Sequence, residues 1–220
     1  MTEAVFNPET NSADARAEKR KSLMLRSAKV VCQSGEYVCL IRDVAPLGTS
    51  LSFLHDVPPE PRIILALGNG LTFPIEKVWS GKRQAGYRFA DRVSISEFMH
   101  ENSPFQLRPV RIEVSASARI TDGRHSFSAE ILDLSTHGAK FASEGNLKPD
   151  RLVGFQISGM KQQLGQVVWS DETDGSKHFG FQFQHPLSLQ ELADTALRIQ
   201  PFSWPTPGSF SDTLGNASAA

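Results

Sequence analysis

The chain has 220 residues, 40% of them apolar, which is enough to fill one large core or two small ones and excludes wholesale disorder. Its 23 basic and 24 acidic residues leave a formal net charge of −1, whereas a general nucleic-acid binder uses positive charge to displace counterions from phosphates. No unbroken apolar run is longer than Ile63 to Leu67, far short of the roughly 20 residues a bilayer-spanning helix needs. Two cysteines cannot build a disulfide scaffold, and the start of the chain has no basic segment followed by an apolar one. The expectation is a cytoplasmic protein with no membrane insertion and no DNA or RNA partner.

In chain order, residues 1–15 are polar and aperiodic and read as a disordered tail. From there the chain is a succession of short alternating runs bounded by turn residues. Lys29 to Cys32, the turn Ser34-Gly35-Glu36 and Tyr37 to Ile41 form one hairpin; a two-residue turn at Gly35-Glu36 sets Cys32 opposite Cys39 as buried free thiols. Ile63 to Leu67, Asn69-Gly70 and Leu71 to Ile75 form another, because Asn-Gly accepts the positive φ that a tight hairpin turn requires. Glu101 to Leu107 reads as a linker, and 201–220, rich in Pro, Gly and Ser, as a second disordered tail.

A shift of 90 residues lays the chain on itself. Ser27-Ala28-Lys29-Val30 meets Ser117-Ala118-Arg119-Ile120, Asp43 meets Asp133, Gly48 meets Gly138, and Val78-Trp79-Ser80 meets Val168-Trp169-Ser170. The register then moves to 94, read as a hairpin loop four residues longer in the second copy, so that Gly86-Tyr87-Arg88-Phe89 meets Gly180-Phe181-Gln182-Phe183. Ser94-x-x-Glu97 and Ser188-x-x-Glu191 are both capping boxes, so each copy ends by starting a helix. In the second helix Leu189, Leu192, Ala193, Ala196 and Leu197 follow a 3.6-residue period suited to lying on a sheet. The two tryptophans are read as core residues, since an indole in an alternating strand buries a large area. The division is 16–100 and 108–200, two domains of several strands and a terminal helix.

Each copy has basic residues at its start, an Asp-centred turn about 22 residues later, and strands running to Val-Trp and Gly-aromatic-x-Phe. This resembles the PilZ domain, whose signature is Arg-x-x-x-Arg followed by Asp/Asn-x-Ser-x-x-Gly. In the first copy Arg16 and Arg20 match the arginine half, and Asp43-Val44-Ala45-Pro46-Leu47-Gly48 has Ala45 where the family has Ser. In the second, Asp133-Leu134-Ser135-Thr136-His137-Gly138 matches the turn half fully, while Arg108 and Arg111 have two residues between them and Leu107 stands at the place of the first arginine. The resemblance implies a mainly β fold, two six-stranded antiparallel barrels each followed by a short α-helix. It also implies a non-enzymatic receptor for cyclic di-GMP with ligand contacts at Arg16, Arg20, Asp43, Gly48, Arg108, Arg111, Asp133, Ser135 and Gly138. A protein partner in a motility or polysaccharide pathway would receive the signal.

Arginine forks suit this ligand because they bridge phosphate oxygens or clamp guanine O6 and N7. Plainer readings stand beside these. The basic start of the first copy is also what a solvated charged segment looks like, and a local turn accounts for Asp133 and Ser135 without a ligand. A pair that no longer binds nucleotide and acts as a protein-interaction adaptor is the alternative function. No cofactor is expected, and no metal, because the six histidines are scattered and His178 and His185 have no Cys or third His beside them. No nucleophile motif, Walker motif or Rossmann motif is present, so an enzyme is not expected.

Overall fold

The computed structural model describes residues 21–99, 109–173 and 175–202. The two expected tails, apart from Pro201 and Phe202, and the expected linker therefore lie outside the described residues. The described chain forms two closed barrels of six antiparallel strands. In the first, β1 (Lys21–Cys32), β2 (Gly35–Ala45), β3 (Gly48–Phe53), β4 (Arg62–Ala66), β5 (Thr72–Ser80) and β6 (Gln84–Phe89) pair in the order β1-β2-β3-β6-β5-β4, and β4 returns to β1. Helix α1 (Ile95–Met99) follows. The second repeats this with β7 (Arg111–Asp122), β8 (His125–Ser135), β9 (Gly138–Ala142), β10 (Leu152–Ile157), β11 (Gln163–Thr173) and β12 (Ser176–Phe183), closed by β10 on β7, and then α2 (Leu189–Ile199).

Period-two alternation sends Val30, Tyr37, Cys39, Ile41, Leu51, Leu65 and Ile75 into the first barrel and Ile112, Ile120, Ile131, Phe141, Phe155 and Phe181 into the second. Each helix plugs its barrel. Phe98 of α1 is fully buried against Phe73 and Phe89. Ser188 caps α2 with both arms of the capping box in place.

Several expectations are corrected at the level of single residues. The first hairpin turns at Gln33-Ser34, with Cys32 opposite Gly35, so Cys39 faces Ala28 and the two thiols are not cross-strand partners. Gly35 takes a φ of +139° just after that turn, a conformation only glycine holds cheaply, and this moves the turn from where it was read. Burial pushes the Cys32 thiol up to about 12 and raises Cys39 further, so both stay protonated. The Asn69-Gly70 hairpin is present, but as a three-residue loop in which Gly70 has φ +88° and Leu67 N–H donates to the Leu71 carbonyl at 2.9 Å. The four extra residues of the second copy lengthen the ladder rather than the loop. Asp171 pairs with His178, Glu172 with Lys177 and Thr173 with Ser176, so strand pairing with Glu172 opposite Lys177 continues where a longer loop was expected.

The tryptophans are corrected too. Trp79 is 48% exposed and Trp169 is 40% exposed. A β-bulge between Lys77 and Trp79, and another between Val167 and Trp169, breaks the alternation and turns both indoles to the outside of the barrel. Each then covers a cross-strand glycine. A Cβ on Gly86 or Gly180 would lie 2.0 Å from the indole Nε1 of Trp79 or Trp169.

Helix α2 touches both barrels. Leu192 and Ala196 belong to the second core, whereas Leu197 packs on the first. Val38, facing outward from β2, is buried in the second core. Polar bonds seal the seam: Glu113 N–H donates to Glu36 Oε2 at 2.7 Å, Tyr37 O–H to the Gln200 carbonyl at 2.7 Å, and Gln200 Nε2 to the Glu36 carbonyl. Phe202 packs at an angle against Tyr37 and edge-on to His55, with centroids 4.6 and 5.3 Å away. His55 is 5% exposed, and its Nδ1 donates to the Asp56 carbonyl at 2.7 Å, leaving Nε2 buried with no hydrogen-bond partner among the described residues.

Burial holds the His55 imidazole below its ordinary value, a shift that the Asp56 carbonyl and the charges of Asp56 and Asp194 only partly offset. The unfolded chain therefore takes up a proton at a higher pH than the folded one. The contribution of this seam to stability is fully present above about pH 6.5 and falls as the pH drops below it. Thermal unfolding followed between pH 7 and pH 5 is expected to show a falling midpoint, and His55→Phe is expected to flatten that fall.

Candidate functional site

Asp43, Gly48, Asp133, Ser135 and Gly138 lie at or beside the turn joining the second and third strands of their barrels, and Arg111 opens the first strand of the second barrel. Arg16, Arg20 and Arg108 lie outside the described residues. The other six are placed.

In the second barrel the structure brings the two halves of the signature together. Arg111 opens β7 and Asp133 lies near the end of β8, and Arg111 Nη1 donates to Asp133 Oδ1 at 2.9 Å. The guanidinium is half exposed while the carboxylate is mostly covered, so the pair presents an arginine fork held in place from below. A bulge between Ile131 and Asp133 turns the aspartate out of the barrel. Glu113, the register partner of Asp133 on β7, adds a like charge that makes the arginine the natural counterion.

Ser135 is 1% exposed, and its hydroxyl is committed to the turn. It donates to the Gly138 carbonyl at 3.1 Å and accepts from the amides of His137 at 3.3 Å and Gly138 at 3.2 Å. Gly138 needs its missing side chain for space rather than for φ: a Cβ there would lie 2.0 Å from the Phe181 carbonyl oxygen on β12. The turn thus sits flush on the next strand.

The first barrel has the same turn with different partners. Asp43 is also turned out by a bulge, between Ile41 and Asp43, but Ser50 Oγ donates to its Oδ2 at 2.7 Å and Thr49 Oγ1 to its carbonyl at 2.7 Å. Gly48 lies against the Tyr87 carbonyl, which a Cβ would approach to 2.6 Å. Position 50 of the first copy corresponds to 140 of the second, where the cross-strand partner of Asp133 is Lys140. Lys140 was missed in the sequence, because a lone lysine in a strand carries no spacing signal; only the register places it beside Asp133. Among the described residues no group of three His, Cys, Asp or Glu is placed to hold a metal ion, and no helix is long and apolar enough to cross a membrane.

Fold and site together define a tandem of small antiparallel β-barrels that present charged side chains on their outer walls. Residues 106–198 match the family described as PilZ domain. The second barrel is a PilZ domain, and the first, with the same strand order, is a PilZ-like barrel in tandem with it. No curated protein matches the chain. Among solved structures the chain is similar to the Borreliella burgdorferi PlzA protein in complex with c-di-GMP, at 14% identity over 83% of this chain and 94% of that one, with a TM-score of 0.32. It is similar to the Bacillus subtilis inhibitor of motility MotI/DgrA at 8% identity, over 80% of this chain and 97% of that one, with a TM-score of 0.37. It is also similar to YcgR in complex with c-di-GMP from Escherichia coli at 11% identity, over 78% and 82%, with a TM-score of 0.34.

The close approach at Gly138 has a measurable consequence. The atom a methyl group would meet is a backbone oxygen of a paired strand and cannot swing away. Gly138→Ala is expected to cost about 1–3 kcal/mol in urea unfolding, more than the same change at Gly81, where a Cβ would meet nothing closer than the Gln84 carbonyl at 3.8 Å.

Proposed function

We propose that the chain is a cyclic di-GMP receptor without catalytic activity, and that the second barrel carries its principal site. The observation that supports this most directly is the 2.9 Å contact between Arg111 and Asp133, which joins the arginine half of the PilZ signature to its turn half on one exposed wall. Arg111 supplies a fork for phosphate oxygens or for guanine O6 and N7, and Asp133 accepts from guanine N–H groups. Ser135 shapes the turn, Gly138 seats it on β12, and Arg108 brings a second cation from just before β7. Arg16, Arg20, Asp43 and Gly48 form the corresponding set of the first barrel, weakened by Ala45 and by the bond that already ties Asp43 to Ser50.

A second reading has its own observation. An open groove of about 880 Å³ on the first barrel is lined by Leu47, Ile64 and Pro74 and flanked by Arg62, Glu76 and Arg88. Leu47 is 49% exposed and Ile64 41% exposed, an apolar surface of the kind that protein partners cover. On this reading the pair is an adaptor that no longer binds nucleotide.

Isothermal titration of the full chain with cyclic di-GMP separates the two. Saturable binding is expected, and a charge-assisted contact of about 1.5–3 kcal/mol means that Arg111→Ala or Asp133→Ala weakens it at least ten-fold. Absence of saturable heat at high micromolar ligand overturns the receptor reading; capture of one partner without nucleotide, unaffected by Arg111→Ala, then supports the adaptor.

A further inference from the structure

The open groove on the first barrel is a row of outward side chains set by register. Val31 on β1 pairs with Ile64 on β4, Ile64 with Pro74 on β5, and the Pro74 carbonyl accepts from the Ala90 amide just past β6. Their chain neighbours Val30, Ile63, Leu65 and Ile75 are in the core, so alternation turns Val31, Ile64 and Pro74 outward. Leu47 closes the row, its carbonyl accepting from the Phe89 amide. The same pairings in the second barrel join Thr121, Gly154, Leu164 and Gln184, and His137 stands in the place of Leu47. The apolar floor therefore belongs to one barrel, and the described residues end on that barrel. Gln200 Nε2 donates to the Glu36 carbonyl, and its side chain covers Gly35. Glu36 and Gly35 are the register partners of Val31 and Cys32, which form one end of the groove. Phe202 packs on the same hairpin at Tyr37.

We propose that the chain's own segment beyond Phe202 covers this groove, with Trp204 at its Val31 end and Phe210 at its Leu47 end. Every strand under the groove already has two neighbours, so the wall offers no free ladder edge and an occupant must bind through side chains. Residues 203–220 have that chemistry: Trp204, Phe210 and Leu214 supply apolar side chains, and Pro205 and Pro207 have no N–H to satisfy. The steps from Val31 through Ile64, Pro74 and Ala90 to Leu47 span roughly 19 Å at about 4.8 Å per strand. The stretch from Trp204 to Phe210 spans about 19 Å at the roughly 3.1 Å per residue of a proline-rich extended chain. Charge agrees as well. On the rim Arg62 and Arg88 share the carboxylate of Glu76, at 3.6 and 2.8 Å, which leaves one positive charge over. Residues 203–220 hold Asp212 and no basic residue. This covering is independent of nucleotide binding, and a protein that used the groove would have to displace the segment.

The test uses the full chain with Trp79→Phe and Trp169→Phe, which leaves Trp204 as the sole indole. Its acrylamide quenching constant is expected to be about three-fold below that of a free peptide of residues 203–220, at every protein concentration. Ile64→Glu and Leu47→Glu, both at exposed positions, put a carboxylate on the groove floor. Each is expected to bring the quenching back to the peptide's value, because an apolar side chain no longer gains by covering a charge. Either variant suffices if the other does not fold. Quenching in the parent equal to the peptide's overturns the proposal, and so does shielding that the folded variants leave unchanged. Shielding that appears only as the protein concentration is raised also overturns it, since the segment is then seated on a second copy. Cyclic di-GMP is absent throughout, so each outcome leaves the receptor reading where its own titration puts it.

Discussion

Closure of each six-stranded ladder is the constraint on which the rest of this molecule depends. Once β4 returns to β1 and β10 to β7, every strand has two neighbours and the inner face must hold all the large apolar side chains. A strictly alternating strand cannot bend round so tight a barrel, and bulges relieve it. They fall at Ser22/Arg26, Ile41/Asp43 and Lys77/Trp79 in the first barrel and at Glu113/Ala116, Ile131/Asp133 and Val167/Trp169 in the second. The same irregularities that allow closure turn the aspartates and the indoles outward. The polar wall is thus a by-product of the geometry of closing, duplicated because the barrel is duplicated.

The duplication is exact in topology and unequal in chemistry. Both barrels seat a glycine of the second turn against a backbone carbonyl, Tyr87 in one and Phe181 in the other. Yet Asp43 is satisfied by a neutral hydroxyl, whereas Asp133 is held by a guanidinium beside a lysine. A carboxylate bonded to a hydroxyl leaves the wall acidic; one bonded to an arginine leaves it near neutral, with unused donors facing solvent. One barrel sets an arginine and a lysine beside its outer aspartate, while the other has an apolar groove.

The seam is what makes two barrels one molecule. Helix α2 belongs by chain order to the second barrel but packs Leu197 on the first, and Gln200 and Phe202 continue onto β2. Glu36 bonds to Lys29 of its own barrel and to the Glu113 amide of the other. Glu113 is also the register partner of Asp133, so the seam and the outer wall of the second barrel share a strand position. An anion bound at Arg111 would act one residue pair away from the contact that fixes the barrels together.

The sequence by itself determined that there are two like units, that each is strand-rich and followed by a short helix, of which α2 carries the complete capping box, and that an aspartate turn recurs in both. These are local or repetitive signals: alternation, Ser-x-x-Glu boxes, and Asp43, Gly48 and Trp79 returning at Asp133, Gly138 and Trp169. Only the tertiary structure decided which face each side chain takes. A single bulge reverses alternation, so Trp79 and Trp169 leave the core that periodicity assigned them; Gly35 moves a turn by two residues and parts Cys32 from Cys39. The pairing of Lys140 with Asp133, and the use of α2 as a bridge, depend on which strands become neighbours. That follows from the energy of the closed assembly, not from residues adjacent in the chain.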